Sequence, residues 1–362
     1  MQALRVQEGS KKEQVERVDI PRIGPQEVLI KVKSAGLAPG PFRMVRMGVL
    51  SHLPATLGHE AAGVVDAVGE LVQGLSAGDR VRVHTSMSCR SCDYCLSDRD
   101  QMCDESGLMG FQGFGKGSMP LFERYRNGGL AEYIRAPYWL VDVLPDHVSF
   151  DVGCKVNEFA TALCTLKKAN LRPGSTVIIT AATGAIGTAL LKLAPLFGIH
   201  RLVLVGRSSE RLQVVTKLTT IQTDIVATDQ LSEDWSSTRE LAQKICSVLP
   251  RGADAIIDLT PSGSVTSQSM ASLRVNGTIV HLGGSSSILP IPMVVIMANC
   301  WTIVGTRNHS RLDAKTILKW LSERKLDVNE LITHRWTFDQ IEEAIARLED
   351  RSLPIWMSVV NF

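Results

Sequence analysis

The chain has 362 residues, of which 44% are hydrophobic and 21% charged, with a formal net charge of +2 at pH 7. These are globular values, and the length suggests two domains rather than one core. They exclude a disordered or fibrous chain, and the balanced charge without a basic stripe argues against nucleic acid as a partner.

Neither end, MQALRVQEGSKKEQ or MSVVNF, carries a signal peptide or lipidation signal, and the apolar run 177–191 is too short to cross a bilayer, so a cytoplasmic protein without a membrane partner is expected. From residue 1 to about 150 the pattern is short strands between turns. EVLIKVKSAG and AAGVVDAVG are β-branched runs ending at glycines, and AGDRVRV restarts a strand.

The segment 86–127 is polar and aperiodic, and it holds Cys89, Cys92, Cys95 and Cys103. In an intracellular chain such close spacing points to metal ligation rather than disulfides. Cys154, Cys164, Cys246 and Cys300 are scattered among apolar neighbours and read as small buried hydrophobes.

Near residue 170 the period changes. LRPGSTVIITAATGAIGTALLKLAPLFGIHRLVLVGRSSER gives a buried strand, a glycine turn, a helix and a second buried strand, a βαβ unit that implies a parallel sheet. In TAATGAIG, Ala182, Gly184 and Gly187 match a dinucleotide fingerprint, with Ala185 and Ile186 opening the helix whose amides would face a pyrophosphate.

At the end of the second strand an NAD site usually presents a carboxylate to the ribose. Gly206 stands there, followed by Arg207, Ser208, Ser209 and Arg211, a set suited to a 2′-phosphate, so NADPH is the expected cofactor.

Further strands are expected at 253–260 and 277–284, and amphipathic helices at 313–326 and 338–351. VGTRNHSR, 304–311, follows a strand and is read as bringing Arg307 or Asn308 to the cofactor; the alternative is an exposed polar loop. The apolar run 288–301 is read as core plus a subunit interface. Phe42, Phe111 and Phe114 are candidates to line a substrate pocket, with core packing as the alternative.

With the four cysteines, LGHEAAGVVDAVG, GGLAEY, the fingerprint and LRVNGTIVHLGG in this order, the chain resembles the zinc-type medium-chain dehydrogenase/reductase family nearly end to end. The resemblance implies an α/β fold. A GroES-like β-rich domain, residues 1–155 plus 300–362 with the lobe 86–127, would flank a doubly wound Rossmann domain at 156–299.

It also implies an active site between the domains, a homodimer or homotetramer, and one structural zinc on Cys89, Cys92, Cys95 and Cys103. Four thiolates fill a tetrahedral zinc and leave no open position.

The family's catalytic zinc is another matter. The positions where relatives place its first and third ligands hold Ala38 and, aligned through LKKANL, Asn157, while His59 and Glu60 are retained. Pro39, Gly40 and Pro41 replace the residues that often follow the first ligand, including the proton-relay hydroxyl. One imidazole and a neutral amide make a poor zinc site.

Without a Lewis acid, alcohol oxidation loses its route to the alkoxide, whereas hydride transfer from NADPH to an activated C=C (enone) or C=N (iminium) bond of a small molecule does not need one. His59, Glu60 and Lys155, the last with a pKa lowered in an apolar cleft, are the candidate acid or orienting groups. Two alternatives stay open: a zinc alcohol dehydrogenase using Glu60 or Glu158 with His59, and a redox-silent isomerase or cyclase.

Overall fold

The computed structural model describes residues 1–115, 118–284, 286–350 and 354–362. Two compact units are formed, one by Met1–Ala160 with Asn308–Phe362 and the other by Thr161–Arg307.

In the first unit the strand Glu27–Leu37 is the centre of a largely antiparallel sheet. Its neighbours in order are Ile332–Thr337, Met357–Asn361, Glu27–Leu37, Ala61–Val68, Arg80–Val83 and Val141–Val143, with Tyr133–Pro137 also pairing Glu27–Leu37. EVLIKVKSAGL is buried on both faces except near Lys31, which accounts for its near-continuous apolar run in place of strict alternation. The C-terminal residues enter this unit through register, since Val360 pairs with Ala35 and Val359 with Gly36. Val28, Ile30, Val65, Val81, Leu130 and Val360 belong to one buried cluster beneath the sheet.

The second unit is a parallel sheet in the order Gln222–Ala227, Arg201–Gly206, Thr176–Thr180, Ala253–Asp258, Leu273–His281, Thr302–Gly305. Chain order runs outward in both directions from the junction of Thr176–Thr180 with Ala253–Asp258, the reversal at which open α/β sheets take ligands beyond the carboxyl ends of their strands. Thr302–Gly305 is the sixth strand, so the second unit extends past residue 299, where the sequence reading ends it. The helix Val156–Lys168 runs across the other boundary.

Helices Arg311–Ser322 and Ile341–Asp350 fall where periodicity places them; Arg351, the last residue of the second expected helix, lies outside the described residues, as do residues 116 and 117 of the cysteine lobe. That lobe contains short helices, Asp93–Leu96 and Pro120–Arg124 among them, too brief to leave a period in the sequence.

Several expectations change. Cys154 and Cys164 are buried, but Cys246 and Cys300 are exposed. The run 288–301 is core only in part: Leu289, Ile291 and Trp301 pack half-buried against the second unit's core, whereas the helix Met293–Ala298 has no fully buried residue and Ile288 is 89% exposed. Phe42 is 1% exposed within the core cluster, so core packing is its role. No helix among the described residues is long and apolar enough to cross a membrane.

Candidate active site

Three elements of the first unit converge on one buried ionic group. Gly58, at φ +96° with its α carbon facing Leu130, turns the chain so that His59 and Glu60 directly precede the strand Ala61–Val68. Lys155 closes the helix Phe150–Cys154, which Ser149 caps by accepting from Val152 N, and Asn157 and Glu158 lie in the first turn of Val156–Lys168.

Lys155 Nζ donates to Glu60 Oε2 at 2.6 Å, to Glu158 Oε1 at 2.8 Å and to the Leu37 carbonyl at 3.5 Å. Asn157 Nδ2 donates to Glu60 Oε1 at 3.1 Å, and His59 Nε2 lies 3.4 Å from that same oxygen. Gly36 makes the room: a Cβ there would run into the Glu60 carboxylate and stand 2.9 Å from Lys155 Nζ.

The sequence thus brings His59, Glu60 and Lys155 together, but Lys155 is not what was expected. It is 0% exposed, and although burial lowers its pKa, the carboxylates of Glu158 and Glu60 outweigh burial and raise it. With all three N–H directions occupied it is a fixed cation rather than a proton donor.

Burial likewise pushes Glu60 up, but the ammonium and His59 hold it well below the usual carboxylate range. Glu158 meets the same ammonium, but burial and the Glu60 charge push it up to about 8. Glu158 Oε2 is buried without a hydrogen-bond partner among the described residues.

Asn157 is fixed from three sides. Its Oδ1 accepts from Thr85 Oγ1 at 2.9 Å and lies 3.1 Å from His309 Nε2, while its Nδ2 serves Glu60. Burial, with the nearby His84 and Arg82, holds His309 well below the ordinary histidine range, so its ring is neutral.

The segment after Arg307 is therefore partly structural: Asn308 Nδ2 donates to Ser86 Oγ, and Arg311 N to Asp100 Oδ1 at 2.9 Å. His309 and Thr85 were missed in the sequence, although His309 stands inside the quoted VGTRNHSR; a lone histidine in a polar loop has no spacing that marks it.

His59 is the partly accessible member of the group, its ring tilted over Phe111 with centroids 5.7 Å apart. Phe111 therefore lines the His59 side. Ala38 caps the helix Pro39–Met47, and Pro39 fits its first position because no N–H is needed there.

The residues do not fit the family's catalytic zinc. Ala38 offers a methyl group, the Asn157 amide is committed, and an ammonium separates the carboxylates of Glu60 and Glu158.

The cysteine lobe does fit a metal. The Sγ atoms of Cys89, Cys92, Cys95 and Cys103 all lie within 4.8 Å of one another, a four-thiolate set suited to zinc. Burial raises the Cys89 thiol, but hydrogen bonds from Ser91 and Cys92 outweigh it and bring the thiol down to about 6. Burial pushes Cys103 up to about 11 and raises Cys95. Among the described residues no other trio of histidine, cysteine or acidic side chains converges as a metal-ion group would.

In the second unit the fingerprint lies where the ligand rule places it, between Thr176–Thr180 and the nine-residue helix Ala185–Leu193. Ala182 is buried beneath the turn and Gly187 packs on it, leaving no space for a Cβ, while Gly184 is exposed at the N-cap and Ala185 and Ile186 open the helix. That open backbone suits a pyrophosphate.

Arg207 is exposed at the next strand end, Ser208 caps the helix Ser209–Val215 by accepting from Arg211 N, and Ser209 hydrogen-bonds to Asp229. Arg307 is exposed just past Thr302–Gly305.

A buried carboxylate also sits at the strand ends of the parallel sheet. Asp258 accepts from Thr180 Oγ1 at 2.5 Å and Thr266 Oγ1 at 2.8 Å, and its Oδ2 lies 2.6 Å from His281 Nδ1.

Residues 24–146 match a family model described as the alcohol dehydrogenase GroES-like domain, and residues 185–323 one described as zinc-binding dehydrogenase. The chain is 30% identical over 331 residues to L-idonate 5-dehydrogenase of Vitis vinifera, covering 90% of this chain and 85% of that protein. It is 27% identical over 327 residues to sorbitol dehydrogenase of Arabidopsis thaliana, covering 89% and 85%.

Among solved structures, an NAD-dependent alcohol dehydrogenase superposes with a TM-score of 0.84 at 26% identity, covering 100% of both chains. A zinc-binding dehydrogenase from Sinorhizobium meliloti 1021 bound to NADP shares the fold, with a TM-score of 0.84 at 21% identity over 100% and 99% of the chains.

Proposed function

The chain belongs to the zinc-type medium-chain dehydrogenase/reductase family and is an oxidoreductase, and on that premise we propose that it is an NADPH-dependent reductase of activated C=C or C=N bonds in small molecules, working without a catalytic zinc. The observation that carries this reading is Asn157. Where relatives present the third metal ligand, this chain has an amide whose oxygen faces Thr85 and His309 and whose nitrogen serves Glu60, and the first ligand position is Ala38.

When bound, the reduced nicotinamide supplies a hydride. For an iminium substrate the hydride alone completes the reaction, since the carbon already carries the positive charge. For an enone, hydride adds to the β carbon and one proton must reach the enolate. His59 is the proton donor in this reading, because it is the partly accessible titratable group of the cluster and Glu60 Oε1 stands 3.4 Å from its Nε2. Glu60, held by Lys155 and Asn157, orients the imidazole. Arg207 and Ser208 bind the cofactor's 2′-phosphate, and the cysteine lobe carries a structural zinc.

The relatives named for L-idonate and sorbitol favour a second reading, oxidation of a secondary alcohol. One experiment separates them. The purified protein is mixed with NADPH and a panel of enones and cyclic iminium ions, and with NADP⁺ and a panel of polyols, while cofactor absorbance is followed. Consumption of NADPH with the first panel only is expected. Turnover confined to polyols would refute the reductase reading.

A further inference from the structure

Two buried carboxylates and a backbone carbonyl converging on one point form a cation site, and here the cation is part of the chain. Lys155 Nζ touches Glu60 Oε2, Glu158 Oε1 and the Leu37 carbonyl, the residue immediately before Ala38. The lysine is fully buried, and Gly36 leaves the space that the Glu60 carboxylate and the ammonium fill.

His59 approaches the same carboxylate from its other oxygen, outside the point the ammonium fills, so removing the ammonium would leave two carboxyl groups and a carbonyl oxygen facing that point, oxygen donors that suit a divalent cation. Two buried carboxyl groups left without the ammonium are neutralised by protons or by a replacement cation, and a divalent metal competes with the protons for their oxygens.

We propose that Lys155 is a built-in cation that fills this pocket and bars a divalent metal from it, so that the first unit carries a masked metal site opened by removing one charge. The inference rests on the zinc-free reading above and supplies its physical reason: the site did not simply lose ligands but acquired a competitor for those that remain. Lys155 is a positioning residue, since its ammonium reaches the carboxylates and not solvent. Its second effect is to hold Glu60 where Oε1 meets both His59 and Asn157.

The test reads metal rather than turnover. The full chain, with its cysteine lobe loaded with zinc, is titrated with Co²⁺, and bound metal is followed by the visible ligand-field bands and by metal content per subunit. Wild type is expected to take up no equivalent beyond the cysteine lobe. Lys155→Met is expected to gain one, bound at least a hundredfold more tightly than any Co²⁺ held by wild type, and Lys155→Met/Glu60→Gln to lose that gain.

Because Lys155→Met can fail to fold, Ala38→Cys at the half-buried helix cap provides an independent arm. It restores a thiolate while keeping the ammonium, and is expected to bind no extra Co²⁺.

Uptake by Ala38→Cys alone, or a folded Lys155→Met that binds none, would overturn the proposal while leaving the zinc-free reductase reading intact. A second equivalent in wild type would overturn both. The same wild-type sample assayed with NADPH and an enone judges the reaction separately.

Discussion

Asp229 Oδ2 accepts hydrogen bonds from both the backbone N–H and the hydroxyl of Ser209, at 2.8 and 3.1 Å. The hydroxyl read from the sequence as a 2′-phosphate donor is thus already directed at a carboxylate, and that carboxylate repels a phosphate dianion placed near it. Arg207, exposed on the preceding residue pair, pulls the other way.

Asp229→Asn keeps an acceptor for Ser209 and removes the repulsion, so it is expected to tighten NADPH by about tenfold, with little effect on NADH. Arg207→Ala is expected to weaken NADPH by a similar factor. Fluorescence titration of both nucleotides against the three proteins checks this. Equal effects on NADPH and NADH would place the 2′-phosphate elsewhere.

The buried triad makes stability depend on pH with a definite sign. Glu158, pushed up to about 8 from an ordinary value of 4.5, keeps in the folded state a proton that the unfolded chain releases across that window. The folded state binding more protons, stability falls as pH rises from about 5 toward 8, by at most about 1.4 kcal/mol per pH unit for this one group.

Glu60, held low, acts oppositely: its contribution is present above the ordinary carboxylate range and is lost as pH falls through its depressed value. Lys155, held high, contributes fully below its ordinary value of 10.5 and is lost only in strong alkali. Glu158→Gln is expected to flatten the fall between pH 5 and 8 while leaving the acid limb. Urea unfolding at a series of pH values measures it.

Much of this could be read before the structure, for reasons specific to each element. The four cysteines were legible because metal ligation fixes their spacing within one short lobe, and the fingerprint because a strand, a glycine turn and a helix must follow one another in the chain.

Lys155 was legible as a candidate and misread in its chemistry. Its partners Glu60 and Glu158 come from a turn far upstream and from the next helix turn, and the direction of a buried lysine's pKa depends on whether carboxylates reach it. The Asp258 to His281 contact joins the ends of two parallel strands, and no local pattern announces it. The exposure of 288–301 was hidden because an apolar run looks the same in a core and on an edge.

Removing zinc from a loaded cysteine lobe should be coupled to proton uptake. With burial pushing Cys103 up to about 11 and raising Cys95, a stripped lobe at pH 7 holds these two thiols protonated, while Cys89, brought down to about 6, stays largely ionised. Chelation of the zinc-loaded protein is expected to take up more than one proton per subunit and to lower the melting temperature. Cys103→Ser, at a buried position, is expected to prevent full zinc loading and reproduce the loss. A pH indicator in weak buffer, read beside metal content, follows the protons. Chelation without proton uptake would mean that the thiolates persist without the metal.

Met293 and Met297 are 77% and 68% exposed, on a helix with no fully buried residue, and Ile288 lies on the approach to it. Next in the chain is Thr302–Gly305, one of the two edge strands of the parallel sheet, with Ile303 also exposed. An open strand edge beside an apolar helix is a surface that soluble proteins ordinarily cover.

A second copy of the chain, related by a two-fold axis, is expected to cover it with the same surface, and each substitution would then act twice in the interface. Burying a methionine contributes about 1.5–3 kcal/mol, so Met297→Glu, which removes that burial and introduces a charge on both sides, is expected to weaken self-association by more than about a hundredfold. Sedimentation of wild type as a dimer or tetramer and of Met297→Glu as a monomer, with NADPH binding retained, would establish the surface as the subunit interface; an unchanged oligomer would place the interface elsewhere.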